Sequence, residues 1–77
     1  MAHDVDMAAA VRLSVMVNGV PAHVRASTLE GVLSELGYGA QKVATAVNGE
    51  FVAARTRAQT VLRPGDEIEI VAPQQGG

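Results

Sequence analysis

Two asparagine–glycine pairs, each set between stretches of alternating apolar residues, place the strongest limit on how this chain can fold. Residues 11–17 alternate between apolar and other side chains up to Asn18 and Gly19, and the alternation resumes over 20–24. Asparagine and glycine both tolerate the positive φ of a type I′ turn, so this pattern predicts a β-hairpin. Pro21 has no backbone N–H to donate, which predicts that the second strand lies at a sheet edge.

Residues 27–39 predict one amphipathic helix. Ser27 and Glu30 have the spacing of a capping box, and Gly37 stands where a residue in the left-handed region would end the helix. Gly31 weakens a helix interior by roughly 1 kcal/mol relative to alanine, so we expect a close packing contact there. One face of the helix carries the apolar residues Leu29, Val32, Leu33 and Leu36.

The second half of the chain repeats the hairpin pattern around Asn48 and Gly49. Residues 53–60 indicate an irregular connection, and the Pro-Gly-Asp sequence at 64–66 predicts a turn. The last strand then alternates isoleucine with glutamate up to Pro73 and therefore has one acidic face.

The predicted order of elements is two strands, a helix, a strand, a short strand and a final strand, which is an α+β roll. We expect a mixed sheet of four to five strands covered by one main helix, with the first and last strands side by side at its centre. A chain of 77 residues holds one domain, and its core must be aliphatic because Tyr38 and Phe51 are its only aromatic residues. We divide it into a flexible extension at 1–10, a folded domain at 11–73 and a flexible tail at 74–77.

Composition excludes several classes of function. The net charge is -2 and the six Lys and Arg residues are scattered, so we expect no nucleic-acid partner. The absence of cysteine excludes a disulfide or a thiolate metal site. Asp4 and Asp6 stand where a secretory signal would carry basic residues, and no apolar run reaches membrane-spanning length. We therefore expect a cytoplasmic protein without membrane contact.

No catalytic constellation is visible in the sequence. Neither His3 nor His23 is placed beside an acidic partner or a nucleophile, and both are expected to be ordinary surface residues. Glu67 and Glu69 alternate onto one strand face, where a solvated pair or a protein-binding face is expected rather than a metal site.

The chain finishes on two glutamines and two glycines, residues 74–77. Glycine contributes no side chain to a core and is costly to order, but a bare backbone can enter a narrow active site and present a carboxylate. Chain ends are also where disorder concentrates. On composition alone, a frayed tail and a reactive tail both remain open.

Taken together, these features resemble the ThiS family of sulfur carriers in thiamin thiazole biosynthesis. The resemblance covers residues 11–77 and rests on four short sequences: VNG, AVNGE, LRPGDEIEIV and a final QGG. It implies a ubiquitin-like β-grasp fold. The chain departs from the family pattern in residues 1–10, at Thr45 in a commonly apolar strand, at Ala54 where a proline is frequent, and at Pro73 in place of an aliphatic residue.

The resemblance implies a protein co-substrate rather than an enzyme. A ThiF-like adenylyltransferase would use ATP and magnesium to adenylate Gly77, and sulfur from a donor protein would convert it to a thiocarboxylate. A ThiG-like thiazole synthase would then accept the sulfur. The chain itself would hold no cofactor and no metal. The resemblance and the predicted strand positions suggest that the partner-binding residues are Gln74, Gln75, Gly76, Phe51, Arg55 and Glu69.

Three other functions share parts of this pattern. The small subunit of molybdopterin synthase uses the same thiocarboxylate chemistry, but QGG is more typical of the thiazole branch. A ubiquitin-like modifier would instead join Gly77 to a lysine amine. A TGS-type regulatory domain has similar internal sequences, although the final Gly-Gly and the lack of a basic patch argue against it.

Overall fold

The computed structural model describes residues 12–73, and these form one five-stranded sheet in the order β2-β1-β5-β3-β4. Strands β1 and β5 are parallel and all other neighbours are antiparallel, so the predicted mixed sheet with β5 at its centre and β2 at an edge is confirmed. The predicted extension and tail lie outside the described residues. The strands are β1 (Leu13–Val17), β2 (Val20–Val24), β3 (Ala44–Val47), β4 (Glu50–Val52) and β5 (Glu67–Val71).

One α-helix, α1 (Leu29–Glu35), covers one face of this sheet. Val15 and Ile70 project toward it from the adjacent strands β1 and β5, and both are buried as their alternation predicts. The core is wholly aliphatic, in agreement with the composition. Its buried members are Val15, Val24, Leu29, Val32, Leu33, Leu62, Ile68 and Ile70.

The predicted start of the helix is wrong by one residue. Thr28 is the N-cap, and its Oγ1 accepts a hydrogen bond from the Gly31 N–H at 3.2 Å. Ser27 instead accepts, through its carbonyl, the N–H of Leu62 at 2.8 Å. This backbone pairing holds Ser27 outside the helix and moves the cap to the next hydroxyl residue. The predicted end is confirmed, because Gly37 follows the helix with a φ of 92°.

The close contact expected at Gly31 is also confirmed. A Cβ at this position would lie 2.7 Å from the Cβ of Ala26 and 3.3 Å from the Oγ1 of Thr28. The helix therefore approaches the end of β2 more closely than any larger residue would allow.

Glu35, in the last turn of α1, ties the helix to the segment that follows β2. Its carboxylate accepts the N–H of Arg25 on both oxygens and the N–H of Ala26 on one, all at 3.0 Å. These backbone hydrogen bonds hold the pKa of Glu35 below its ordinary value. Because the folded-state pKa is lowered, the stabilisation is present at neutral pH and is lost as the pH falls through that pKa.

The segment predicted as an irregular connection is a 3-10 helix (Ala54–Gln59) that carries a buried arginine. The Nε of Arg57 donates to the Oγ1 of Thr45 at 3.0 Å, and its Nη2 donates to the Val43 carbonyl at 2.7 Å. Thr45 in turn donates to the Val52 carbonyl at 2.8 Å. Thr45, the departure from an apolar strand, is thus the buried hydrogen-bonding partner that Arg57 requires.

We expect Gly31→Ala to lower the free energy of unfolding by roughly 1–3 kcal/mol, because the new Cβ would collide with Ala26. This loss should outweigh the helix propensity of alanine, about 1 kcal/mol. Denaturant unfolding measures the effect. The control is the same substitution in an Ala26→Gly background, where the closest obstacle is removed and the loss should be clearly smaller. Equal effects in both backgrounds would show that the contact is not tight.

We expect the isosteric change Thr45→Val to cost roughly 1–3 kcal/mol of unfolding free energy, because it leaves the buried Arg57 Nε without its acceptor. In an Arg57→Met background the same change should cost much less, since no buried charge is then left unpaired. Denaturant unfolding of the four proteins gives the coupling directly. A coupling near zero would contradict the role assigned to this pair.

Candidate functional site

Strand β5 leads directly into the tail that the sequence singles out. On its β3 side the antiparallel pairing runs to the end of the strand, where Val71 lies opposite Ala44. On its β1 side the parallel pairing stops earlier, at Val17 and Ile68, because the chain turns away there into the first hairpin loop. The end of β5 next to the tail therefore has a backbone partner strand on one side only.

The side chain of Asn18 occupies the missing position. Its Oδ1 accepts the N–H of Ile70 at 2.8 Å, and its Nδ2 donates to the Ile70 carbonyl at 3.1 Å. Its own backbone N–H donates to the Ile68 carbonyl at 2.8 Å. One turn residue thus extends the hydrogen bonding of β1 along β5 by two further residues.

Asn48, in the second hairpin turn, contacts the opposite end of β5. Its Oδ1 accepts the N–H of Glu67 and its Nδ2 donates to the Oδ1 of Asp66, both at 2.9 Å. Both asparagines have positive φ, 50° for Asn18 and 52° for Asn48, so their predicted turns are confirmed. Sequence reasoning missed the contacts to β5. The available signal was that both turns use asparagine, whose planar amide carries a donor and an acceptor on separate atoms, as a peptide unit does.

The sheet face that points away from α1 carries two of the predicted contact residues. Phe51 and Glu69 lie on either side of Ala46, in register across β4, β3 and β5. Phe51 is 73% exposed and Val71 is 61% exposed, while Glu67 lies on the same face of β5 as Glu69. We call this surface, made of Phe51, Ala46, Glu67, Glu69 and Val71, the open face; it combines exposed apolar groups with two carboxylates.

Arg55 is not part of the open face. It is exposed on the 3-10 helix, which packs against α1 on the other side of the sheet.

A shallow cavity with a volume of about 620 Å³ lies beside the edge strand β4, and Phe51, Val61 and Arg63 are among the residues that line it. The predicted residues Gln74, Gln75, Gly76 and Gly77 lie outside the described part of the chain.

Residues 12–73 offer an exposed surface for contact. Within that range, no three His, Cys, Asp or Glu side chains are grouped closely enough to hold a metal ion. No helix in the described part has the length and apolar character needed to cross a membrane. What the geometry provides is an exposed apolar and acidic face next to a strand that is hydrogen-bonded on both sides as it leads toward the tail.

Comparison with known proteins places this arrangement in a family. The model of the ThiS family matches residues 12–77. The sulfur carrier protein ThiS of Thermus thermophilus is 38% identical over 63 residues, which cover 82% of this chain and 98% of that protein. A crystal structure of the thiamine biosynthesis protein ThiS from Geobacter metallireducens superimposes with a TM-score of 0.71 at 28% identity, covering 84% of this chain and 100% of the other.

Longer proteins match the chain as well. A thiazole synthase of Paramagnetospirillum magneticum is 39% identical over 66 residues, and one of Magnetococcus marinus is 38% identical over 66 residues. Each match covers 84% of this chain, which spans only 20% of either synthase. The shared region, the full-length match to a carrier protein and the common fold agree. The chain belongs to the ThiS family, and its structure is the ubiquitin-like β-grasp fold that its sequence predicts.

Proposed function

We propose that this protein is a sulfur carrier for thiamin thiazole synthesis and that the sulfur is carried on the carboxyl group of Gly77. The observation that carries the proposal is the family match, which runs without a break from the folded domain to Gly77. The match to 98% of the Thermus thermophilus carrier supports it.

The chemistry needs an activated carboxyl group, because a free carboxylate is a poor electrophile. The Gly77 carboxylate attacks the α-phosphorus of ATP on a ThiF-like adenylyltransferase, which releases pyrophosphate and forms an acyl adenylate. The outer sulfur of a persulfide on a donor protein then displaces AMP to form an acyl disulfide, and a second thiol attacks the donor's sulfur, which leaves the donor as a disulfide and releases the Gly77 thiocarboxylate. Its ionised sulfur is the nucleophile that a ThiG-like thiazole synthase uses. ATP and magnesium belong to the activating enzyme, and we place the reaction in the cytoplasm, where ATP is supplied.

The open face is the surface that we propose for contact with both enzymes in turn. Its exposed Phe51 and Val71 offer apolar area, and the carboxylates of Glu67 and Glu69 favour a partner with a basic rim. Two thiazole synthases contain a region similar to this chain, which supports direct contact between the carrier and a thiazole synthase. Arg55 would contact a partner that reaches around the sheet edge, and Gln74 and Gln75 would hydrogen-bond along an extended tail.

We expect Gly77 to gain the mass of one sulfur in place of one oxygen when the protein is treated with ATP, magnesium, a ThiF-like enzyme and a sulfur source. Mass spectrometry detects the product, which should react with an alkylating reagent at sulfur. Deleting Gly76 and Gly77 should abolish adenylation and leave the melting temperature unchanged, because these residues add no side chain to the core. Accumulation of isopeptide-linked adducts would contradict the carrier function and favour a protein modifier.

We expect Gly76→Val to reduce sulfur transfer by at least about 100-fold without a change in folding, because a branched side chain beside the reacting carbon would misplace it in a channel shaped for bare backbone. The assay offers the thiocarboxylated protein to a thiazole synthase and, in parallel, to the large subunit of molybdopterin synthase. We expect transfer only to the thiazole synthase. Delivery only to the molybdopterin precursor would overturn the proposed pathway.

A further inference from the structure

We infer that Asn18 is a positioning residue for the sulfur-carrying tail. We define residues 70–73 as the tail root, the last described part of the chain before Gln74–Gly77. In this inference the side-chain amide of Asn18 holds the start of the tail root, at Ile70, to the sheet and thereby fixes the point from which the tail extends. The inference rests on the proposed carrier function, since it takes the tail to be the reacting segment.

The geometry at Ile70 carries the inference. Ile70 is buried, and its backbone N–H and C=O face the side of β5 from which β1 has already turned away. Left without partners, two polar backbone groups at a buried residue would be costly. The amide of Asn18 satisfies both, at 2.8 and 3.1 Å, as the peptide unit of a neighbouring strand would. Few side chains can do this, because both a donor and an acceptor are needed on one short planar group.

Loss of this contact would leave the tail root paired on one side only. Its remaining backbone partners are Thr45 and Ala44 of β3. Gly77 lies seven residues beyond Ile70 and can be at most about 23 Å from it, so release of the chain at Ile70 increases the range of positions open to the carboxyl group. If only a fraction of the molecules present a correctly directed tail, the apparent affinity for the activating enzyme falls by that fraction. The KM for the carrier should therefore rise, while kcat should change little.

Asn48 provides a matched control within the same molecule. It occupies the same position in the same kind of Asn-Gly turn, and its side chain also makes two hydrogen bonds, to Glu67 and Asp66. These contacts lie at the start of β5, away from the tail. Glycine accepts the positive φ at either turn, so Asn18→Gly and Asn48→Gly remove comparable contacts and keep the turns.

The experiment measures adenylation of the purified protein by a ThiF-like enzyme, as pyrophosphate released, at a temperature where all variants are folded. Each substitution should lower the melting temperature by a similar amount, on the order of 5–10 °C. Asn18→Gly should raise the KM for the carrier by about 5- to 20-fold with kcat within about twofold, whereas Asn48→Gly should leave both near wild type. Equal KM values for the two variants would overturn the inference and leave Asn18 a purely structural residue.

A second readout separates this inference from the carrier function itself. Asn18→Gly should speed amide hydrogen exchange at Ile70 but not at Glu67, and Asn48→Gly should do the reverse. Unchanged exchange at Ile70 would overturn the inference even if adenylation proceeds. Failure of the wild-type protein to be adenylated would instead overturn the proposed function, and the exchange result would still decide whether Asn18 holds the tail root. Should Asn18→Gly not fold, Asn18→Asp replaces it and Asn48→Gly remains the control, because aspartate at position 18 keeps the acceptor for the Ile70 N–H and removes the donor to the Ile70 carbonyl.

Discussion

Hydrogen bonding on both sides of β5 is the constraint on which the rest of this structure depends. The strand is central and its isoleucines are buried, so backbone groups left without partners there would be costly. Backbone pairing with β1 and β3 covers most of its length, and the two hairpin asparagines complete the remainder, Asn48 at its start and Asn18 near its end. The same turns that reverse the chain therefore also hold the strand from which the tail continues.

This arrangement places the core and the exposed contact surface on opposite faces of the sheet. The aliphatic core and α1 lie on one face of the sheet, so the other face keeps Phe51, Val71 and two glutamates exposed. Under the proposed function, this surface would be available to the two enzymes that act on the carrier in turn. The buried pair of Arg57 and Thr45 supports β5 from its β3 side. Arg57 holds the Val43 carbonyl, and Val43 precedes the end of β3 that pairs with Val71.

Local patterns predicted the strands, the helix, both Asn-Gly turns and the family, because alternation and turn chemistry depend on residues adjacent in sequence. Contacts between distant residues were beyond such patterns. Asn18 and Ile70 are separated by 52 positions, and Arg57 lies 12 positions from Thr45. The helix cap was predicted at Ser27 but lies at Thr28 for the same reason. Both residues have a suitable hydroxyl group, and the backbone pairing of Ser27 with the distant Leu62 decides between them. The use of each candidate contact residue by a partner remains a prediction.

The most direct test of the carrier function is the mass of the C-terminal peptide of the protein purified from its native host during thiamin synthesis. Trypsin should release residues 58–77 as one peptide, because cleavage follows Arg57 and the bond between Arg63 and Pro64 resists the enzyme. We predict that part of this peptide carries one sulfur in place of one oxygen, located at Gly77. A peptide that ends only in a carboxylate while thiazole is being made, or one that continues beyond Gly77, would contradict the proposal.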